Sequence, residues 1–168
     1  MESLLDTLRG AGLLDPGVLA AGIERGWVSC ADVVAFAVER LTAGDDRSEV
    51  LELAAADDEE PAWVIDVLRR WARADGLQSE RAESAERLWM FAALLSISRS
   101  EISPEEQLDR LEETYATFGY PEEMRECSRY YVPPQDRARG IRIGEVTSSP
   151  LVAMNRLLSQ IGGELGVQ

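Results

Sequence analysis

Apolar residues recur at three- and four-residue spacing along almost the whole chain, and no stretch keeps the alternation of a β-strand for long. Proline marks where helices begin, because five of the seven prolines stand where a first helical position is expected. A proline there gives up no backbone N–H that the helix needs. These prolines are Pro16, Pro61, Pro104, Pro121 and Pro150. The chain is therefore predicted to be all-α.

The proline positions and the apolar periodicity together predict helices whose ends are uncertain by about two to four residues. The predicted helices are 2–9, 15–25, 30–42, 47–56, 60–74, 79–98, 104–118, 121–127 and 150–161. Glycine follows the end of five of them, as expected for residues that end a helix in the left-handed conformation. These glycines are Gly10, Gly26, Gly44, Gly76 and Gly119.

A chain of 168 residues fits one domain, and we predict a compact single-domain bundle of seven to nine helices over residues 1–168. Residues 132–148 are predicted to form an irregular loop. Apolar residues on three of the helices are expected to form the core. The predicted helix 30–42 contributes Val33, Phe36, Ala37 and Leu41. The predicted helices 60–74 and 79–98 contribute Trp63, Leu68, Trp71, Leu88, Trp89, Ala92 and Leu95.

The charge composition excludes several classes of function. The chain has no histidine and a formal net charge of -14, with 31 acidic residues against 17 basic ones that are all arginine. The absence of histidine removes histidine-based acid–base catalysis, Ser-His and Cys-His nucleophiles and nearly all zinc sites. The acidity argues against binding to nucleic acid phosphates or to an anionic membrane. It suits a soluble protein that is attracted to a basic protein partner.

The two cysteines, Cys30 and Cys127, form no CxxC motif and are expected to be buried thiols. Nothing at the N-terminus resembles an export signal, and the most apolar run, Leu88 to Ile97, is about half of the length that spans a bilayer. We therefore expect a cytoplasmic protein without a cofactor.

Four carboxylates have the spacing of an enzyme signature. Glu80-x-x-Glu83 and Glu106-x-x-Asp109 resemble the ExxE…ExxD pattern of all-α nucleotide pyrophosphatases of the MazG and dimeric dUTPase type. That resemblance implies Mg²⁺ held against a triphosphate. Helical phase counts against it, because Glu83 and Glu106 fall opposite the apolar faces of their helices. Glu106 is also placed to close a capping box with Ser103. A magnesium-dependent pyrophosphatase is therefore the alternative function.

A dense acidic segment is the first candidate partner-binding site. Residues 45–60 hold eight acidic residues against a single arginine, Arg47. The candidate residues are Asp45, Asp46, Asp57, Asp58, Glu59 and Glu60. The last four also stand before Pro61, where they are expected to stabilise a helix N-terminus through the helix dipole.

Tyrosine and arginine cluster in the second candidate partner-binding site. These residue types are enriched in the energetic centres of protein interfaces. The candidates are Tyr115, Tyr120, Arg129, Tyr130 and Tyr131. The ordinary alternative is that the tyrosines belong to the core with hydrogen-bonded hydroxyl groups.

The same span resembles a known family. Residues 103–134 read SPEEQLDRLEETYATFGYPEEMRECSRYYVPP. This segment is similar to the C-terminal phrase DPLxxxExIYADFxYPEExxxFxRYMP of a bacterial family of small, acidic, helical proteins of unknown function. The matching residues are Glu113, Tyr115, Phe118, Tyr120, Pro121, Glu122, Glu123, Arg129 and Tyr130. The departures are Thr117 for Asp, Cys127 for an aromatic residue and Tyr131-Val132 for Met.

The resemblance implies a function. That family is regarded as including immunity proteins, which are encoded beside polymorphic secreted toxins and neutralise them. We therefore expect a non-enzymatic protein that occludes a basic toxin domain. The acidic segment would supply long-range attraction and the tyrosines would anchor the complex.

Overall fold

A computed structural model describes residues 3–56, 60–76, 81–141 and 149–166. All regular secondary structure in these residues is helical, which confirms the predicted all-α class. The described elements are α1 (Leu4–Gly10), α2 (Pro16–Glu24), α3 (Cys30–Thr42), α4 (Ser48–Ala54), α5 (Pro61–Ala74), α6 (Arg81–Arg99), α7 (Pro104–Thr117), the 3₁₀ helix η1 (Glu122–Cys127), α8 (Pro134–Ala138) and α9 (Pro150–Leu165).

Most helices begin where the sequence predicts, because proline and capping side chains fix their first turns. Asp15 accepts hydrogen bonds from the N–H groups of Gly17 and Val18 at the start of α2. Ser29 and Asp32 close a capping box on α3, whose bounds match the predicted 30–42. The helix predicted at 121–127 is a 3₁₀ helix.

A short helix lies within the segment that was predicted as irregular. α8 begins at Pro134, and the fixed φ of proline favours a first helical position. Residues 142–148 lie outside the described residues.

Glycine ends four of the helices as predicted. Gly26, Gly44, Gly76 and Gly119 all have positive φ. The prediction for Gly10 was wrong, because α1 includes Gly10 and Gly12 takes the left-handed conformation with φ 68°. The N–H of Leu13 donates to the carbonyl of Leu8, which is the bond of a Schellman motif with Gly12 as its left-handed residue.

The chain divides into two compact units. The first is Leu4–Trp89, and the second is Met90–Gln168 together with Met1–Ser3. In the first unit, α2 packs against α5, α3 packs against α4, and α4 packs against α5. In the second unit, η1 packs against α7 and α9, and α7 packs against α9. No helix in the described residues is both long enough and apolar enough to cross a membrane.

Trp89 packs against α2 within the first unit. Its side chain is fully buried, and its indole N–H donates to the carbonyl of Val18 over 2.9 Å. The ring lies 6.1 Å from that of Trp27. Gly22 on α2 lies directly against the indole, where a larger residue would collide with it. The predicted core is confirmed at five further positions, namely Val33, Ala37, Leu68, Trp71 and Ala92.

Leu41 was predicted to be buried, and this prediction was wrong, because its side chain is 37% exposed. Leu41 stands two i+4 steps after Val33, and each step turns about 40° around a helix with 3.6 residues per turn. The drift of about 80° moves Leu41 to the edge of the buried face. Phe36, Trp63, Leu88 and Leu95 are likewise only half-buried. On α6, Met90, Phe91, Ala92, Ala93 and Leu94 are all buried. A helix that is buried all round has no single apolar face for periodicity to identify.

Candidate functional site

The tyrosine-rich segment of the second unit presents two aromatic side chains to solvent. Tyr120 is 65% exposed and Tyr130 is 63% exposed. Tyr115 and Tyr131 are half-buried. The structure therefore separates the predicted tyrosines into two exposed rings and two half-buried rings.

Tyr120 has an unusual backbone conformation. Its φ is 60°, and among the described residues it is the only non-glycine residue with positive φ. It follows Gly119, which has φ 72°, and precedes Pro121. The N–H of Tyr120 donates to the carbonyl of Tyr115 over 2.9 Å, and their rings meet edge to face at 5.1 Å. A side chain in the left-handed region of backbone space costs about 1–2 kcal/mol, and such residues are concentrated at functional sites.

The position of Tyr130 is fixed by α7. Glu112 accepts hydrogen bonds from the Ser128 hydroxyl over 3.2 Å and from the Arg129 backbone N–H over 2.5 Å. The N–H of Tyr130 in turn donates to the Ser128 hydroxyl over 3.2 Å. The segment after η1 is therefore held by the Glu112 carboxylate, a role that sequence reasoning missed because the partners are far apart in the chain.

The side chain of Arg129 also bonds this segment to α7. Its guanidinium forms an ion pair with Asp109 at 2.5 Å, and this hydrogen bond raises the pKa of Arg129. Arg129 was predicted as an interface anchor, and the structure places it half-buried against α7. The Tyr131 ring also lies against an arginine. The guanidinium of Arg125 lies over the ring, 5.1 Å from its centroid, and forms an ion pair with Glu122 at 2.5 Å.

A groove of about 310 Å³ lies between η1 and α9 in the second unit. Cys127, Ala153 and Leu157 form its apolar lining. Arg156 and Glu126, which also line it, form an ion pair at 3.3 Å. Burial raises the pKa of the Cys127 thiol to about 11, so the thiol is protonated at neutral pH.

Cys127 is therefore expected to be unreactive in the folded protein. The thiolate is the reactive form, and a pKa of about 11 leaves very little of it at pH 8. Labelling with iodoacetamide at pH 8 should modify the half-buried Cys30 first and reach Cys127 only after unfolding in urea. Mass spectrometry after proteolysis assigns each label. Rapid modification of Cys127 in the folded protein would contradict this prediction.

The acidic segment contains an ion-pair cluster in the first unit. Asp45 accepts hydrogen bonds from Arg40 at 2.8 Å and from Arg47 at 2.7 Å. These bonds, with that of Arg47 as the largest cause, hold the pKa of Asp45 well below its usual range. Arg47 also pairs with Asp75 and lies over the Trp71 ring at 5.2 Å. Asp45, a predicted partner-binding residue, is therefore already bonded within the protein.

The other predicted residues of this segment differ in position. Asp46 and Glu60 are exposed. Glu60 precedes α5 without a side-chain capping bond. Asp57, Asp58 and Glu59 lie outside the described residues.

Asp45→Asn is expected to lower the free energy of unfolding at pH 7 by about 1–3 kcal/mol, because it weakens charge-assisted hydrogen bonds to Arg40 and Arg47. The folded-state pKa of Asp45 is depressed, so its stabilisation is present above its unfolded pKa of about 4 and is lost as pH falls through the folded pKa. The difference between wild type and variant should therefore shrink below about pH 4. Urea unfolding across pH measures it. Asp46→Asn is the control, and an equal effect there would contradict the prediction.

Two of the four carboxylates in the ExxE…ExxD pattern, Glu106 and Asp109, already form bonds within the protein. Glu106 accepts hydrogen bonds from the Ser103 N–H over 3.0 Å and from its hydroxyl over 2.7 Å, which confirms the predicted capping box and lowers the pKa of Glu106. Asp109 pairs with Arg129. Glu80 and the side chain of Glu83 lie outside the described residues. Within the described part of the chain, no three His, Cys, Asp or Glu side chains are grouped to hold a metal.

Comparison with known proteins identifies the family. Residues 5–160 match a family described as "Uncharacterized protein conserved in bacteria (DUF2247)". No curated protein and no solved structure is significantly similar to the chain. The match covers nearly the whole sequence and includes both the acidic segment and the tyrosines. The chain therefore belongs to this conserved bacterial family.

Proposed function

We propose that the chain is a non-enzymatic binding protein, an immunity protein that occludes a secreted toxin domain with a basic surface. The observation that carries the proposal is Tyr120, an aromatic side chain that is 65% exposed on a left-handed backbone. Tyrosine is enriched among residues that dominate binding energy. A strained residue with an exposed ring indicates a position kept for contact with another molecule.

The local structure supports an anchor role for both exposed tyrosines. Pro121 restricts the backbone of Tyr120, whose N–H is bonded to the Tyr115 carbonyl and whose ring packs against that of Tyr115. Glu112 and Ser128 fix the backbone at Tyr130. Anchors that are ordered before binding lose less conformational entropy in the complex, which favours affinity.

The charge of the chain supports the choice of partner. A net charge of -14 attracts a basic macromolecule over distances of about 10 Å at moderate salt and speeds the encounter. Toxins that act on nucleic acid are commonly basic because their substrate is anionic. An acidic protein that covers such a substrate groove needs no catalytic group of its own.

The alternative function has weaker support. Glu106 and Asp109 already bond Ser103 and Arg129, so Mg²⁺ would compete with a capping box and an ion pair for these carboxylates. No observation in the described residues favours a triphosphate substrate over a protein partner.

The test is purification of the tagged chain from its native host, followed by identification of bound proteins and of the product of the adjacent gene. We expect a basic protein whose isolated domain stops growth of a test strain, and we expect growth to recover when the chain is expressed with it. If the domain is equally toxic in the presence of the chain, the proposal is wrong.

A further inference from the structure

One face of α3 is uncharged, and all of its residues except the half-buried Val34 are exposed. At about 100° per residue, six of its residues fall within an arc of about 120°. They are Ala31, Val34, Ala35, Val38, Leu41 and Thr42. Val38 is 45% exposed and Leu41 is 37% exposed. The Thr42 hydroxyl donates to the Val38 carbonyl over 2.8 Å, so this polar group is already bonded.

The rest of α3 is firmly held, so this face is presented on a fixed helix. Val33 and Ala37, which lie outside this arc, are fully buried. Phe36 stacks on Trp71 with ring centroids 6.2 Å apart. The Ser29 capping box fixes the first turn, and Gly44 ends the helix with φ 93°. A surface fixed in this way is ordered before any partner arrives.

The neighbouring helix adds a further apolar group. α4 packs against α3, and its Leu51 is 47% exposed. Three large aliphatic side chains of this helix pair are therefore exposed, namely Val38, Leu41 and Leu51. An amphipathic helix binds by laying its apolar side chains against exposed aliphatic groups of this kind.

The charges around this face favour a basic partner. Asp32 and Glu39 lie on α3 beside the uncharged arc, and Asp46 is exposed in the connection to α4. Glu39 also forms an ion pair with Arg9 at 3.3 Å. Arg40 is neutralised by Asp45. A second copy of the chain would carry the same charge of -14, so electrostatic repulsion opposes self-association here.

We propose that the uncharged face of α3, together with Leu51 of α4, docks an amphipathic helix of a basic protein. Aliphatic side chains of that helix would cover Val38, Leu41 and Leu51, and its basic residues would approach Asp46 and Glu39. The inference rests on the proposed function for the basic character of the partner, and it adds a second contact surface, in the first unit.

The test uses a synthetic amphipathic helix of leucine and lysine, with an analogue in which glutamate replaces lysine. The backbone amide resonances of the ¹⁵N-labelled full chain are followed by NMR during each titration. The lysine peptide should shift amides of α3 and α4, and the glutamate peptide should not. Val38→Asp should weaken binding of the lysine peptide by about tenfold or more. Val38→Ser, which adds no charge, should also weaken it.

Val152→Asp is the matched control for Val38→Asp. Val152 is also an exposed valine within a helix, but it lies on α9 in the other unit. It should leave the affinity for the peptide unchanged. Equal binding by wild type and both Val38 variants would overturn the inference, as would shifts that map away from α3. Sedimentation that shows a dimer sensitive to Val38→Asp would overturn it in favour of a second copy. None of these results affects the proposed function, which is tested separately by growth rescue.

Discussion

Trp89→Ala is expected to lower the free energy of unfolding by about 3–5 kcal/mol. The indole is fully buried, so its removal leaves a cavity between α2 and α6 in the first unit. It also deprives the Val18 carbonyl of its hydrogen bond from the indole N–H. Urea unfolding followed by circular dichroism measures the change. A loss below about 1 kcal/mol would show that this region is not packed as described.

Gly22 provides a second measurement at the same contact. A Cβ atom at Gly22 would lie 2.5 Å from Cζ2 of Trp89 and 2.7 Å from Cγ1 of Val28. Gly22→Ala should therefore cost about 1–3 kcal/mol through overpacking. The cost should fall in the Trp89→Ala background, because the closest colliding atoms are absent there. Additive effects of the two substitutions would contradict direct contact.

Gly163→Ala is the matched control for Gly22→Ala. Gly163 also lies within a helix, and a Cβ atom there would meet nothing within 4 Å. The substitution should be neutral or stabilise the protein by up to about 1 kcal/mol, because it restricts the unfolded chain and favours helix.

Tyr120→Ala is expected to weaken binding to the partner purified from the native host by roughly 30-fold, the effect of removing an interface hot spot worth about 2 kcal/mol. The exposed ring is the group that a partner would bury. Tyr120→Phe should bind nearly as well, since it keeps the ring and the edge-to-face contact with Tyr115. Surface plasmon resonance measures both affinities.

Tyr120→Gly separates binding from folding. Glycine adopts φ 60° without strain, which favours the variant by about 1–2 kcal/mol, whereas loss of the ring pair with Tyr115 costs about 0.5–1.5 kcal/mol. Stability should therefore stay within about 1 kcal/mol of wild type while binding falls as for alanine. A glycine variant that binds like wild type would remove Tyr120 from the interface.

The sequence predicts the helices well because their ends depend on local chemistry. The capping box of Ser29 and Asp32, the proline starts and the glycine ends act within one turn, so neighbouring residues suffice to locate them. Burial is harder to predict, since it depends on which elements meet. Leu41 has the spacing of a core residue but is exposed, because the drift of helical phase moves it to the edge of the buried face.

The candidate site could be predicted only in part. The tyrosine cluster is visible in the sequence, but the exposure of Tyr120 and Tyr130 depends on how η1 packs. The support from Glu112 joins residues that are 17 positions apart, and no local pattern indicates it. The charge density at 45–60 likewise does not show that Asp45 is bonded by Arg40 and Arg47.

The central claim is that the acidic protein acts by associating with a basic macromolecule. The most direct test is the rate constant for association with the purified partner, measured by stopped-flow fluorescence at increasing salt. We expect the rate constant to fall steeply as ionic strength rises, because screening weakens the attraction between opposite charges. A rate constant that does not change with salt would contradict the claim.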